Sequence, residues 1–87
     1  MSVAVLKDAQ EKAASREYEA AENLFCEYLK ENETHASAWA ELGYVLFKQQ
    51  KLYESGDAYA AAYDLEPENP KYISLLANAL AELHQFE

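Results

Sequence analysis

The stretch WAELGYVLFKQQKLYESGDAYAAAYDLEP, Trp39 to Pro67, decides the fold. Its apolar residues recur at helical spacing. Trp39, Leu42 and Leu46 fall three to four apart, as do Tyr59, Ala62 and Tyr63. Two such runs joined by only a few residues read as two helices that must lie antiparallel. Gly43 sits inside the first of them. Glycine in a helix interior costs about 1 kcal/mol relative to alanine, so its presence implies a close approach by the second helix. Gly56 also falls inside a helix, without a comparable packing reason.

Outward from this pair the chain continues in the same manner. The spacing predicts five helices, at about 2–14, 17–32, 36–50, 53–65 and 70–84. Hydrophobic residues make up 51% of the 87 residues, with only two Gly and two Pro, and β-branched residues are sparse. That balance favours helix over strand, and the length suits one small domain. Both prolines fall in Pro67-Glu68-Asn69-Pro70, the clearest break in the chain. Asn69 is suited to cap the last helix and Pro70 to its first position. Thr34 is the expected cap for the helix that carries Trp39. No proline stands at Glu33, so the second helix is expected to run on to about Asn32.

The series Trp39, Leu42-Gly43, Leu46, Ser55, Tyr59, Ala62 and Pro67 resembles one tetratricopeptide repeat, a two-helix unit of about 34 residues. Leu46 stands for the Tyr of that signature, Ser55 for the Ala and Tyr59 for the Phe. Shifting by the period places Trp39 on Ile73, Leu42-Gly43 on Leu76-Ala77 and Leu46 on Leu80. The opposite shift places Gly43 on Ala9, Ser55 on Ala21 and Tyr59 on Phe25. The resemblance implies an all-α, right-handed superhelical stack of antiparallel helix pairs. Its units would be about 2–35, 36–69 and a partial unit 70–87, within a single domain 1–87. Gly43, Ala9 and Ala77 would lie where paired helices approach closely. The first helix has a thinner apolar stripe (Val5, Leu6, Ala9, Ala13), because Asp8 and Lys12 stand where Leu42 and Leu46 stand in the second unit. It is the expected weak end of the stack.

The resemblance further implies a binding role without catalysis. In such proteins the first helix of each unit lines a concave groove that holds a partner segment. The implied lining is Ala40, Tyr44, Phe47 and Lys48 at the centre. Leu6, Gln10, Ala13 and Ala14 would flank them on one side; Ser74, Asn78, Ala81 and Glu82 would flank them on the other. Tyr44 is expected to be exposed, and Tyr18, Tyr28, Tyr59 and Tyr63 to pack between units. Tetratricopeptide domains that clamp acidic chaperone tails use Lys, Asn and Arg on the groove helices. Leu6 and Tyr44 do not fit that clamp, and Gln10 and Asn78 only imitate it. The expected partner is a protein or peptide segment that is apolar or basic. Ala38 to Glu87 is also similar in layout to class II chaperones of type III secretion, including Tyr53, Tyr59 and the step at Pro70.

Charge narrows the functions further. Sixteen acidic residues against seven basic ones leave a net charge of −9. The bases are scattered, so no patch follows a phosphate backbone, and the overall field repels one. Cys26 is the sole cysteine, which excludes an internal disulfide. The first ten residues lack the apolar run of a signal peptide, and no stretch reaches membrane-span length. A cytoplasmic location without membrane attachment is expected. Asn32-Glu33-Thr34 fits a glycosylation spacing, which carries no meaning in that compartment.

Catalytic readings find little to rest on. Cys26 could serve as a nucleophile with His35 or His84 as base, but no spacing brings them together. A lone helical cysteine is more often a packing residue. Carboxylate pairs such as Glu27 and Glu31 read as solvated faces, so neither a metal nor a cofactor is expected.

Phe86-Glu87 aligns with Tyr18-Glu19 and Leu52-Tyr53, the starts of earlier second helices. Leu75, Leu76, Ala79, Leu80 and Leu83 are therefore expected to be only partly covered. Either the chain is an excerpt of a longer repeat protein, or another chain covers that face. Self-association through the last helix is one form of the second case.

Overall fold

A computed structural model describes residues 2–85, so Phe86 and Glu87 lie outside the described residues. Five helices follow one another: α1 (Ser2–Ala14), α2 (Tyr18–Glu31), α3 (Ala36–Lys48), α4 (Leu52–Leu65) and α5 (Pro70–Gln85). No strand occurs among the described residues. Each helix packs on the next in sequence, and α3 also touches α5.

Two clusters form the core. The first joins Ala9 of α1 to Ala21, Phe25, Tyr28 and Leu29 of α2 and to Leu42, Val45 and Leu46 of α3. The second joins Ala36 and Ala40 of α3 to Tyr59 and Ala62 of α4 and to Tyr72 and Ala79 of α5. Trp39 packs against both, so one indole ties the two halves. Its Nε1 donates to the Glu33 carbonyl at 2.9 Å, which fixes the ring while its body stays in apolar contact.

At Gly43 the helices α3 and α4 approach closely. A Cβ built there would lie 2.6 Å from two carbons of the Tyr59 ring. Beside it, the buried Ser55 hydroxyl donates to the Gly43 carbonyl at 2.8 Å. A small side chain at residue 55 lets α4 come close, and its one polar atom finds a partner, as burial requires. Burial holds the Tyr59 phenol above its ordinary pKa.

The backbone repeats itself at an offset of 34 residues. Arg16 and Gln50 take left-handed φ angles of 64° and 63°. In the turns they occupy, Glu17 N donates to Lys12 O and Lys51 N donates to Leu46 O. Bonds of this reach close a helix end through a left-handed residue. The α2–α3 and α4–α5 connections correspond in the same way. His35 N donates to Asn32 O and Asn69 N to Glu66 O, followed by Trp39 N to His35 O and Ile73 N to Asn69 O.

The helix boundaries fall within two residues of the expected ones, and the differences have local causes. The helix α3 stops at Lys48, not at residue 50, because left-handed Gln50 turns the chain back. The helix α2 ends at Glu31, where Asn32 folds its side-chain amide onto the Tyr28 carbonyl at 2.9 Å. The expected cap at Thr34 is not formed. The cap position of α3 is His35, which makes no side-chain capping bond. Its ring meets Tyr28 instead, Nδ1 lying 2.6 Å from the phenolic oxygen. At α5 the expectation holds: Lys71 N donates to Asn69 Oδ1 at 2.9 Å, and Pro70 opens the helix.

Candidate functional site

Two adjoining depressions lie along α3, one between it, α1 and α5, the other between it, α4 and α5. The larger, about 300 Å³, is lined by Gln10 and Ala13 of α1, by Ser37, Ala40, Glu41 and Tyr44 of α3, by Lys71 and Leu75 of α5, and by Phe25 below. The smaller, about 150 Å³, is lined by Tyr44, Phe47, Lys48, Leu75, Asn78 and the edge of Tyr59. Tyr44 and Leu75 border both. The lining obeys the same 34-residue offset as the backbone. Gln10, Tyr44 and Asn78 correspond, as do Ser37 and Lys71, Glu41 and Leu75, and Ala13 and Phe47.

Tyr44 stands at the centre with 45% of its surface exposed. The edge of its ring meets Tyr18, centroids 6.3 Å apart at 79°. Lys48 Nζ lies 5.6 Å from the ring centroid, within cation–π range. The side chain is thus held in place while a large part of it faces solvent. Phe47 is half-buried against the second core cluster. Ala40 is buried and forms floor, and Lys48 and Asn78 are exposed at the rim. Leu6 lines neither depression; it is half-buried against the first core cluster. Ala14, Ser74 and Ala81 are exposed and line neither depression, and half-buried Glu82 lies outside both.

The polar content of the groove comes partly from residues that the helical stepping passed over. Glu41 accepts from Gln10 Nε2 on both carboxylate oxygens, at 3.1 and 3.2 Å. This bond ties α1 to α3 across the groove. Ser37, Lys71 and Leu75 were also missed. One further helical turn back from Ala40 reaches Ser37, and the period then reaches Lys71. Below the floor, burial raises the Tyr72 phenol pKa, helped by the carboxylates of Glu66 and Glu41.

Elsewhere the reactive side chains are occupied or dispersed. Cys26 is exposed, and desolvation followed by the Glu22 charge raises its pKa, so the thiol form dominates at neutral pH. His35 is engaged with Tyr28. Among the described residues, no three His, Cys, Asp or Glu side chains are grouped so as to hold a metal ion. No helix among them is long and apolar enough to cross a membrane.

Of the tyrosines expected to pack between helix pairs, Tyr28 and Tyr59 are buried and Tyr18 is half-buried. Tyr63 is exposed, because its side of α4 faces the open side of α5. On α5, Ala79 is fully buried against α4 and not left partly open as expected. Leu80 is 52% exposed.

No family model matches the chain, and no curated protein matches it in sequence.

Proposed function

We propose that the chain is a tetratricopeptide-type helical-repeat module that holds a segment of another protein in the groove between α1, α3 and α5. On this reading the helix pairs form a right-handed stack of about two and a half units. The protein acts by binding and not by catalysis. The observation that carries the reading is Tyr44: an aromatic ring anchored by Tyr18 and Lys48, yet open to solvent between two depressions. Rigid, partly desolvated aromatics of this kind are the side chains on which interfaces concentrate binding energy. The helical repetition of backbone bonds and lining positions supports the repeat assignment.

The occupant is an extended or helical segment with apolar side chains for the two depressions. The small alanine floor at Ala13 and Ala40 leaves room for such side chains. A cytoplasmic setting suits a single free cysteine and the absence of any membrane-length helix among the described residues.

Panning a displayed random-peptide library against the protein and against its Tyr44→Ala variant tests the reading. Tyr44 is exposed, so the variant keeps its fold, which circular dichroism verifies. Apolar or basic peptides enriched by the parent and not by the variant are the expected result. Enrichment of the same peptides by both would remove the groove from consideration.

A further inference from the structure

The larger depression of the groove holds charge of both signs. Glu41 of α3 and Lys71 of α5 line it together with the apolar Ala13, Ala40 and Leu75. Neither charge is neutralised by the described residues. The Glu41 carboxylate accepts from the uncharged Gln10 amide, at 3.1 and 3.2 Å. Among the described residues the ion pairs are Lys12 with Glu17 and Lys51 with Glu22, and neither pair lines the groove. Glu41 and Lys71 are therefore not paired with each other, although they share one depression. Lys48 of the smaller depression is already engaged with the Tyr44 ring.

A segment that covers the larger depression takes both charges out of water. Covering a charge without a partner carries a desolvation penalty. An opposite charge on the segment replaces the lost water with a charge-assisted hydrogen bond. A purely apolar segment leaves Glu41 and Lys71 uncompensated, and a purely basic one sets like charge against Lys71, which complementary interfaces avoid. The net charge of −9 belongs to the surface as a whole. At this depression one carboxylate stands against one ammonium, so the local field favours neither sign.

We propose that Glu41 and Lys71 select the charge pattern of the segment held in the groove. That segment carries an apolar residue for the floor at Ala13 and Ala40, a lysine or arginine for Glu41, and an aspartate or glutamate for Lys71. The inference rests on the groove reading above and narrows its apolar or basic occupant to one of mixed charge.

The probe is a phage-displayed random-peptide library, panned against the full chain and against single variants that circular dichroism shows to be folded. Glu41→Gln and Lys71→Gln each remove one charge from the groove, and Glu41→Gln keeps an acceptor for Gln10. Glu68→Gln and Lys30→Gln change the net charge equally at residues that line neither depression. Tyr44→Ala is panned in parallel and tests the groove itself. The parent is expected to enrich peptides that hold a base and an acid beside an apolar residue. Glu41→Gln should lose the enrichment in bases and keep that in acids, Lys71→Gln should do the reverse, and the two outer variants should change neither. The most enriched peptide is then synthesised and titrated by fluorescence anisotropy. Replacing its basic residue by glutamine should weaken binding to the parent about tenfold, a change of about 1.4 kcal/mol, and to the Glu41→Gln protein about twofold or less. Parent peptides that lack either sign, yet are lost with Tyr44→Ala, would overturn the charge selection and leave the groove reading standing. An equal shift with Glu68→Gln or Lys30→Gln would assign the preference to the overall field and overturn it as well. Enrichment indifferent to Tyr44→Ala, or no enrichment by the parent, would remove the groove and this inference with it.

Discussion

Gly43 and Tyr59 are in such close register that the ring of one occupies the space where a side chain on the other would begin. A Cβ at residue 43 would stand 2.6 Å from two ring carbons, and the ring is itself buried. Overpacking of this kind costs about 1–3 kcal/mol. It outweighs the gain in helix propensity from glycine to alanine, which is at most about 1 kcal/mol. Gly43→Ala is therefore expected to destabilise the protein in urea unfolding. In a Tyr59→Ala background the same change should become stabilising, because the obstruction has gone. A double-mutant cycle reads this reversal directly, and an unchanged sign in the second background would refute the steric account.

Gly56 is the contrasting case. It lies inside α4, and a Cβ there would meet nothing within 4 Å. Gly56→Ala thus gains propensity without a clash, about 0.5–1 kcal/mol. For a domain of this size that corresponds to a rise in Tm of roughly 2–8 °C. A fall in Tm would show that residue 56 approaches something in solution that the fold does not reveal.

Arg16 and Gln50 offer a second route to stability. Both hold φ near +64° in exposed turns, a region where L side chains are disfavoured by roughly 1–2 kcal/mol. Arg16→Gly and Gln50→Gly relieve that cost and lose no packing, less the extra backbone entropy that glycine forfeits. Each should raise the unfolding free energy by about 0.5–1 kcal/mol, read as a higher urea midpoint at unchanged slope. The two should add, since they occupy separate turns. A neutral or negative result at both would contradict the left-handed assignment.

Glu22 gives the protein a defined acid response. Its carboxylate accepts from Lys51 Nζ and Gln49 Nε2, each at 2.9 Å, linking α2 to the α3–α4 turn. Burial alone would raise its pKa, but those hydrogen bonds and the Lys51 charge together lower it. A carboxyl group with a depressed folded pKa stabilises the fold above its unfolded pKa. That contribution is lost as pH falls through the folded value. Lys51, raised chiefly by its bond to Glu22, contributes below the unfolded lysine pKa and loses that contribution as pH rises through the folded one. The pair is therefore fully present at neutral pH. Glu22→Gln should lower Tm at pH 7, and the gap to the parent should narrow on acidification below the ordinary glutamate range. A gap independent of pH would mean that the side chain acts by packing alone.

Helix positions were readable because the aromatic and aliphatic residues of α2 to α5 fall at helical spacing and in part correspond at an offset of 34 residues. The close contact at Gly43 was readable for the same reason: a glycine inside an apolar helix needs a neighbour. Contacts that cross between non-sequential helices were not readable. Nothing periodic relates Gln10 to Glu41, and only the placing of α1 beside α3 joins them. Thr34 looked like a cap by residue type, yet the turn from Asn32 to His35 puts His35 in the cap position and directs its ring to Tyr28. Leu6 stands 34 residues before Ala40, but on α1 it packs on the first core cluster and does not line the groove. Tyr63 matches the buried Leu29 at an offset of 34 residues, and it is exposed because, among the described residues, no helix covers that side of α5.

Tyr44 and Phe47 were paired by sequence as groove aromatics, and the structure separates their roles. Tyr44 is 45% exposed and its contacts are with Tyr18 and Lys48 at the surface. Phe47 is half-buried and packs on the second core cluster. Truncating a buried phenylalanine costs about 3–5 kcal/mol, and a half-buried one correspondingly less, whereas exposed side chains usually change stability by within about 0.5 kcal/mol. Phe47→Ala is expected to lower the unfolding free energy by about 1.5–3 kcal/mol, and Tyr44→Ala by no more than about 1 kcal/mol. For peptides selected by the parent, Tyr44→Ala should weaken binding by about 2 kcal/mol, near thirtyfold in Kd, as for an interface anchor. The two changes have to be made singly, because combining Tyr44→Ala with Phe47→Ala would confound lost folding with lost binding. Isothermal titration of each single variant, beside its urea curve, separates the two. Binding that tracks stability across both variants would mean that the groove is core surface and not a site.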